Sequence, residues 1–160
     1  MLHNSLPLSR REVLCRIGGG FGSKIATPAH YAAVVLSRKI GRPVRLIPSE
    51  EHSFRQNSRH AEVFKAKIGV KADGTLTALD VDLIVDTGAY TTGGATAAHN
   101  SVISAWGCYR IPHLRIKGRC AYTNKVPAGH TRATGKIQTT WGIECTMDSV
   151  ARQLGLDPSR

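Results

Sequence analysis

Phe64-Lys65-Ala66-Lys67-Ile68-Gly69-Val70, followed beyond Asp73-Gly74 by Leu79-Asp80-Val81-Asp82-Leu83-Ile84-Val85, is the stretch from which the fold is read. Apolar and polar residues alternate through both runs, the period of a strand with one buried face. Asp-Gly between two such runs is a hairpin signal. A two-residue turn there sets Phe64 opposite Leu83, Ala66 opposite Val81 and Ile68 opposite Leu79 on one face. The same register sets Lys65 opposite Asp82 and Lys67 opposite Asp80 on the other, so both faces agree on one pairing. These lysine–aspartate pairs are expected to be structural, worth at most about 1 kcal/mol each where exposed.

Upstream of the hairpin, residues 49–60 carry Glu50, Glu51, His52, Arg55, Arg59 and His60 and read as a solvated loop or helical turn. Residues 43–47 read as a strand with Pro43 first, where its missing N–H does least harm. Thr27-Pro28 is an N-cap and first-turn pair, after which Ala29, Ala32, Ala33, Leu36 and Ile40 fall on one helical face until Gly41. That face is expected to pack on a sheet. Before it, the apolar run Val13-Leu14-Cys15-Arg16-Ile17 reads as a strand that delivers Gly18-Gly19-Gly20-Phe21-Gly22-Ser23-Lys24. Glycines so dense let a backbone approach a ligand closely, and strand, glycine loop and helix together can hold an anion or cofactor. Neither common phosphate fingerprint is matched, since Ser23 stands where G-x-G-x-x-G requires glycine and the P-loop spacing is absent.

Downstream, residues 88–94 read as a surface loop, leading to an apolar turn around Val102 to Trp106. Residues 114–122 read as a strand with alternating Arg115, Lys117 and Arg119. A turn over 123–129 then presents His130, Thr131 and Arg132 in a second loop. The last helix runs over 137–154 with Ile143, Met147, Val150, Ala151 and Leu154 on one face, capped by Gly155. The fold class is therefore α+β: a mixed sheet with a long hairpin at about 60–86 and two main helices at about 27–40 and 137–154. Residues 1–10 read as a disordered or truncated start.

At 160 residues the chain can bury roughly two thirds of its unfolded surface. No run approaches the roughly 18 apolar residues of a membrane span, and no signal-peptide core is seen. A soluble, cytoplasmic protein without a membrane partner is expected. The net charge of +11, from 22 Lys and Arg against 11 Asp and Glu, suits an anionic partner. Nucleic acid is disfavoured, because basic residues form no long run, aromatics are 6% and no nucleic-acid-binding motif occurs. Cys15, Cys108, Cys120 and Cys145 lack metal-ligand spacing and read as buried, reduced thiols. His30 and His60 read as surface or packing residues.

The ordered set Gly18-Gly19-Gly20-Phe21-Gly22-Ser23-Lys24, Gly41-Arg42-Pro43-Val44-Arg45, Ser58-Arg59-His60, Asp73-Gly74, Gly88-Ala89-Tyr90, Tyr109-Arg110-Ile111-Pro112, Tyr122-Thr123-Asn124 and Arg132 resembles the molybdenum-binding subunit of the xanthine dehydrogenase and aldehyde oxidase family. The resemblance covers roughly residues 10–160, part of a subunit several times longer. It implies that 11–160 is a partial molybdopterin-binding domain holding a molybdenum-pyranopterin, its cytosine dinucleotide form being one candidate. Gly19, Gly20, Phe21 and Gly22 are then cofactor contacts, as is Arg132. Phe21 and Arg132 would be metal-proximal without being direct side-chain ligands.

The same resemblance implies oxidative hydroxylation of an aldehyde or N-heterocyclic carbon. Iron–sulfur clusters and FAD are expected on partner subunits or domains. The loop departs from the family pattern, reading Arg132-Ala133-Thr134-Gly135-Lys136-Ile137-Gln138. Thr134 stands where purine oxidisers place an aromatic and becomes a substrate-side candidate; Ile25 stands where they place a glutamate. The family's glutamate base and glutamine loop lie outside these residues, so no catalytic residue is assigned here and the isolated chain is expected to be inactive. Glu144 resembles a structural family position. The rival readings are a basic non-catalytic module for nucleic acid or another polyanion, and an assembly segment.

Overall fold

The hairpin forms with the register its alternation predicts. In the computed structural model, which describes residues 20–22, 25, 28–56 and 58–158, strand β1 (Glu62–Val70) pairs antiparallel with β2 (Leu76–Gly88). Phe64 faces Leu83, Ala66 faces Val81 and Ile68 faces Leu79. The turn is not the two-residue one expected. Lys71 N donates to Thr75 O at 2.9 Å and Gly74 N to Lys71 O at 3.0 Å, closing a loop over Ala72, Asp73 and Gly74. The register shifts beside Val70, where Thr77 is the unpaired residue of β2. One residue added in the loop and one bulged out of β2 cancel, so the buried faces still meet.

Strand β3 (His113–Tyr122) lies parallel to β2, giving the sheet order β1-β2-β3. Its arginines change the expected ion pairing: the pairs Lys65 to Asp82 and Lys67 to Asp80 do not form. Arg119 Nη2 donates to both Asp82 oxygens at 2.9 and 2.7 Å. Arg115 donates to Asp80, Nε to Oδ1 at 2.9 Å and Nη2 to Oδ2. A guanidinium grips a carboxylate with two parallel donors where an ammonium offers only a point charge.

The other face of the sheet holds the core. Leu79, Val81, Leu83 and Val85 are at most 2% exposed, each contributing about 1.5–3 kcal/mol by burial. Helix α3 (Gly94–Val102) packs on β2 and β3, and helix α4 (Lys136–Leu154) on β1 and α3. The sequence reading places a surface loop over 88–94 and an apolar turn from Val102, and assigns no helix between them. Gly94, Thr96, Asn100 and Val102 lower the helix propensity of α3 against three alanines, and burial of Ala97, Ala98 and Ser101 lets tertiary packing settle the helix. Close approach is enforced at Gly118, where a Cβ would lie 2.5 Å from Val102 Cγ2 and 3.2 Å from Leu83 Cδ1. The last helix ends as expected, on a left-handed Gly155.

The chain divides into two compact units, residues up to Leu46 and residues from Ile47 onward. The first contains α1 (Pro28–Ile40), ending at Gly41 as its sequence predicts. The stripe expected to be buried is not: Leu36 and Ile40 are 43% and 56% exposed, since no described sheet of that unit covers them. The strand expected at 12–17 and the start at 1–10 lie outside the described residues. The strand expected at 43–47 does not form; those residues carry no regular structure, because a strand needs a neighbour to bond and Pro43 lacks a donor. In the second unit, part of the charged stretch is helix α2 (Glu50–Gln56), opened by His52 N donating to Ser49 Oγ at 3.2 Å. Cys108, Cys120 and Cys145 are exposed free thiols rather than buried ones; Cys120 lies on β3, at the sheet edge. Cys15 lies outside the described residues.

Candidate functional site

Strands β2 and β3 run parallel and end side by side, Gly88 beside Tyr122, so the chain leaves both at one edge of the sheet. Crevices outside the carboxyl ends of parallel strands are where ligands settle in open α/β sheets. Two loops rise there, one after each strand.

Asp86 ties them together. Its Oδ2 accepts from Lys125 Nζ at 2.8 Å, and its Oδ1 accepts from Thr123 Oγ1 at 2.7 Å and the Gly88 amide at 2.8 Å. The Lys125, Thr123 and Gly88 donors hold its carboxyl down to about 2 from an ordinary 3.8. Main-chain bonds run alongside: Thr123 N donates to Gly88 O at 3.1 Å, Ala89 N to Lys125 O at 3.1 Å and Ala128 N to Thr87 O at 3.0 Å.

Residues 58–60 form a splint against the second loop. Gly129 N donates to Ser58 O at 2.9 Å, Arg59 Nη1 to Arg132 O at 3.3 Å, and Gln138 Nε2 to His60 O at 2.6 Å. His60, expected as a surface or packing residue, is 2% exposed. Its Nδ1 lies 3.0 Å from Asp86 O, and since a carbonyl can only accept, Nδ1 carries the proton. In the neutral ring Nε2 then offers a lone pair.

The loop that carries Arg132 is wound tightly. Thr134 Oγ1 donates to Thr131 O at 2.8 Å, and Asn100 Nδ2 donates to Thr134 O at 3.1 Å. Ala133 has φ 57, a left-handed conformation costing about 1–2 kcal/mol for a residue with a side chain. Gly135 follows at φ 80, and a Cβ there would sit 2.2 Å from Ala97 O, so only glycine fits. The fully buried hydroxyls of Ser101 and Thr139 lie 3.0 and 3.1 Å from Gly135 O, and each lies 2.7 Å from a Glu62 carboxylate oxygen. That network over-determines the turn, which is how a strained backbone persists.

Among the described residues, three buried polar atoms have no hydrogen-bond partner: His60 Nε2, Thr131 Oγ1 and Gln138 Oε1. All three belong to this corner. Leaving such a group unpaired costs about 1–3 kcal/mol, so the corner suits a ligand that brings donors and acceptors of its own.

Arg132 and Thr134 therefore share one turn at the parallel strand ends. Gly20, Phe21 and Gly22 belong to the first unit; Phe21 has φ 48 and a 71% exposed side chain, and Gly22 has φ 102. Gly19 lies outside the described residues. No group of three or more His, Cys, Asp and Glu side chains converges among the described residues. The sequence reading missed Asp86 and the His60–Gln138 splint. Asp86-Thr87-Gly88 carries a local signal, an aspartate two residues before a glycine amide it can bind. The splint joins residues 78 apart, and no short-range pattern announces it.

Residues 9–160 match the family model described as the molybdopterin cofactor-binding domain. The chain is 38% identical over 149 residues to a probable xanthine dehydrogenase subunit of Bacillus subtilis, covering 92% of this chain and 20% of that protein. To the nicotinate dehydrogenase large molybdopterin subunit of Eubacterium barkeri it is 32% identical over 156 residues, 96% of this chain and 37% of that protein. The solved aldehyde oxidoreductase of Desulfovibrio gigas superposes with a TM-score of 0.83 at 32% identity, over 88% of this chain and 16% of that one. The chain thus spans well under half the length of each of these relatives. With a parallel-edge corner whose unpaired polar atoms suit a polar ligand, and with relatives of this kind, the chain belongs to the molybdopterin cofactor-binding domain family, in the xanthine dehydrogenase and aldehyde oxidase group.

Proposed function

We propose that residues 11–160 act as the cofactor-holding segment of a molybdenum hydroxylase subunit, with the glycine loop and the Arg132 loop each contributing contacts to a molybdenum-pyranopterin. What carries this reading is the Arg132 turn, strained at Ala133, braced by Arg59, Asn100 and Ser101, and set in a corner where His60, Thr131 and Gln138 each hold an unpaired polar atom. Such bracing keeps donors aimed without reorganisation when charge develops beside them.

The residues fit the group. Gly19, Gly20 and Gly22 would supply amide donors without side-chain bulk, and Phe21 and Gly22 have positive φ. Arg132 would offer a guanidinium fork to oxygen or sulfur acceptors. His60 Nε2 and Gln138 Oε1 would accept from ligand N–H groups, and Thr131 Oγ1 would donate. Phe21 and Arg132 would be metal-proximal without ligating through their side chains, and Thr134 would face the substrate.

When bound, the cofactor supplies two-electron oxidation at an electron-poor carbon of an aldehyde or N-heterocycle. Every other task of this segment is binding and orientation. No carboxylate here takes the role of base: Glu62 is engaged by Ser101 and Thr139, and Glu144 Oε2 accepts from Tyr109 Oη at 2.5 Å. The base, the rest of the molybdenum subunit, the iron–sulfur clusters and the FAD are assigned to other segments or subunits. The cytosine dinucleotide form of the pterin and a cytoplasmic setting belong to the same proposal; no described helix is long and apolar enough to cross a membrane.

The test is Arg132→Ala in the complete subunit, reading molybdenum by mass spectrometry and released pterin by fluorescence beside aldehyde turnover. Loss of a charge-assisted hydrogen bond, about 1.5–3 kcal/mol, predicts cofactor retention lowered by roughly tenfold or more. Wild-type molybdenum, pterin and turnover together would overturn the proposal.

A further inference from the structure

The face of the sheet away from α3 and α4 is a charged groove of about 320 Å³, lined by Lys65, Ala66, Lys67, Asp80, Asp82, Arg115 and Lys117. Its two carboxylates are already taken, Asp80 by Arg115 and Asp82 by Arg119. Lys65 and Lys67 stand on β1 opposite Asp82 and Asp80, and Lys117 stands on β3 beside Asp82. None of the three lysines holds an ion pair among the described residues; Lys67 and Lys117 attract Asp80 at longer range, yet the lining carries four positive charges against two negative ones. Beside it, exposed Val63 pairs with Ile84, an apolar spot next to the Arg119 position. No aromatic side chain lines the groove, so there is no platform for stacking bases.

We propose that this face docks an acidic protein segment, its carboxylates meeting Lys65, Lys67 and Lys117 and one apolar side chain resting on Val63 and Ile84. Charge complementarity selects that occupant: the groove presents net positive charge on a rigid, twisted surface, and a carboxylate-rich chain matches it without needing base stacking. The lysines are poor competitors for Asp80 and Asp82, because the arginine forks hold both carboxylates. Their charge therefore stays available to a partner. The inference does not rest on the proposed cofactor contacts of the Arg132 loop, which rises at the strand ends rather than on this face.

The test uses the 160-residue chain and two fluorescently labelled probes, a twelve-residue polyglutamate and a single-stranded DNA twelve-mer, titrated by anisotropy at low salt. Lys65→Gln, Lys67→Gln and Lys117→Gln are combined in one variant. A charge-matched control combines Lys39→Gln, Arg110→Gln and Arg152→Gln. Neutral substitutions avoid setting glutamates beside Asp80 and Asp82, and thermal melting checks that both variants fold. Polyglutamate is expected to bind the wild type and the control within about twofold of each other, and the groove variant about tenfold more weakly, a loss confined to exposed charges. Absence of peptide binding to the wild type, equal weakening in both variants, or DNA held through the same three lysines as tightly as peptide would each overturn the proposal.

Discussion

Asp86 is expected to contribute a measurable part of this protein's response to acid. Its side chain is 16% exposed against Lys125, and its carboxyl is held down to about 2 from 3.8 by the Lys125, Thr123 and Gly88 donors. The native state therefore binds the Asp86 proton more weakly than the unfolded chain does, and a group of that kind stabilises above its unfolded value. At about 1.4 kcal/mol per pH unit, the depression is worth about 2 kcal/mol. That contribution is fully present at pH 6 and is lost as pH falls from about 4 toward 2. Asp86→Asn keeps the shape but removes the charge, so it should cost about 2 kcal/mol at pH 6, or roughly 4–8 °C in Tm for a chain of this size. Near pH 2 the two proteins should melt together. Thermal melts of both from pH 6 to pH 2 measure this directly. Asp73 and Asp80 are also held below the ordinary range, but they are present in both proteins and drop out of the difference. Melting curves for wild type and variant that stay parallel across the whole range would refute the reasoning, because the carboxylate would then contribute nothing specific.

Gly135→Ala forces a left-handed alanine into a site where its Cβ would lie 2.2 Å from Ala97 O. It should cost more than the ~1–2 kcal/mol of the backbone strain alone, read as a lower urea midpoint; an unchanged midpoint would mean that α3 yields easily. The isolated 160-residue chain is expected to show no aldehyde oxidation with an artificial electron acceptor, and measurable turnover above a blank would move the general base into this segment.

Local patterning reached far into this fold. Two-residue alternation over β1 and β2 was enough to set the hairpin register, since a slip by one residue would turn Leu79, Val81, Leu83 and Val85 to solvent. Pro28 with Gly41 and Gly155 marked the helix boundaries, because each residue type meets a backbone demand at a helix end. What local pattern could not convey was the partnership of separated segments. Arg115 and Arg119 look like alternating surface charge in the sequence, and only the parallel placement of β3 beside β2 hands them Asp80 and Asp82. No helix is read from the sequence over 94–102, and only the sheet beneath buried Ala97 and Ala98 makes one.

The candidate site divides along the same line. The glycine run around Phe21 could be singled out from residue type, because glycine lets a backbone approach closely wherever it stands, whereas Arg132 was singled out only through the family resemblance. Sequence alone determined those residue types, the strand register and the helix ends, since each is settled by neighbours a few positions away. The bracing of the Arg132 turn by Arg59, Asn100 and Ser101, and the Gln138–His60 contact beside it, were decided by the tertiary structure alone. Hydrogen bonds between residues 34 to 78 positions apart exist only once the sheet has brought its parallel strand ends together.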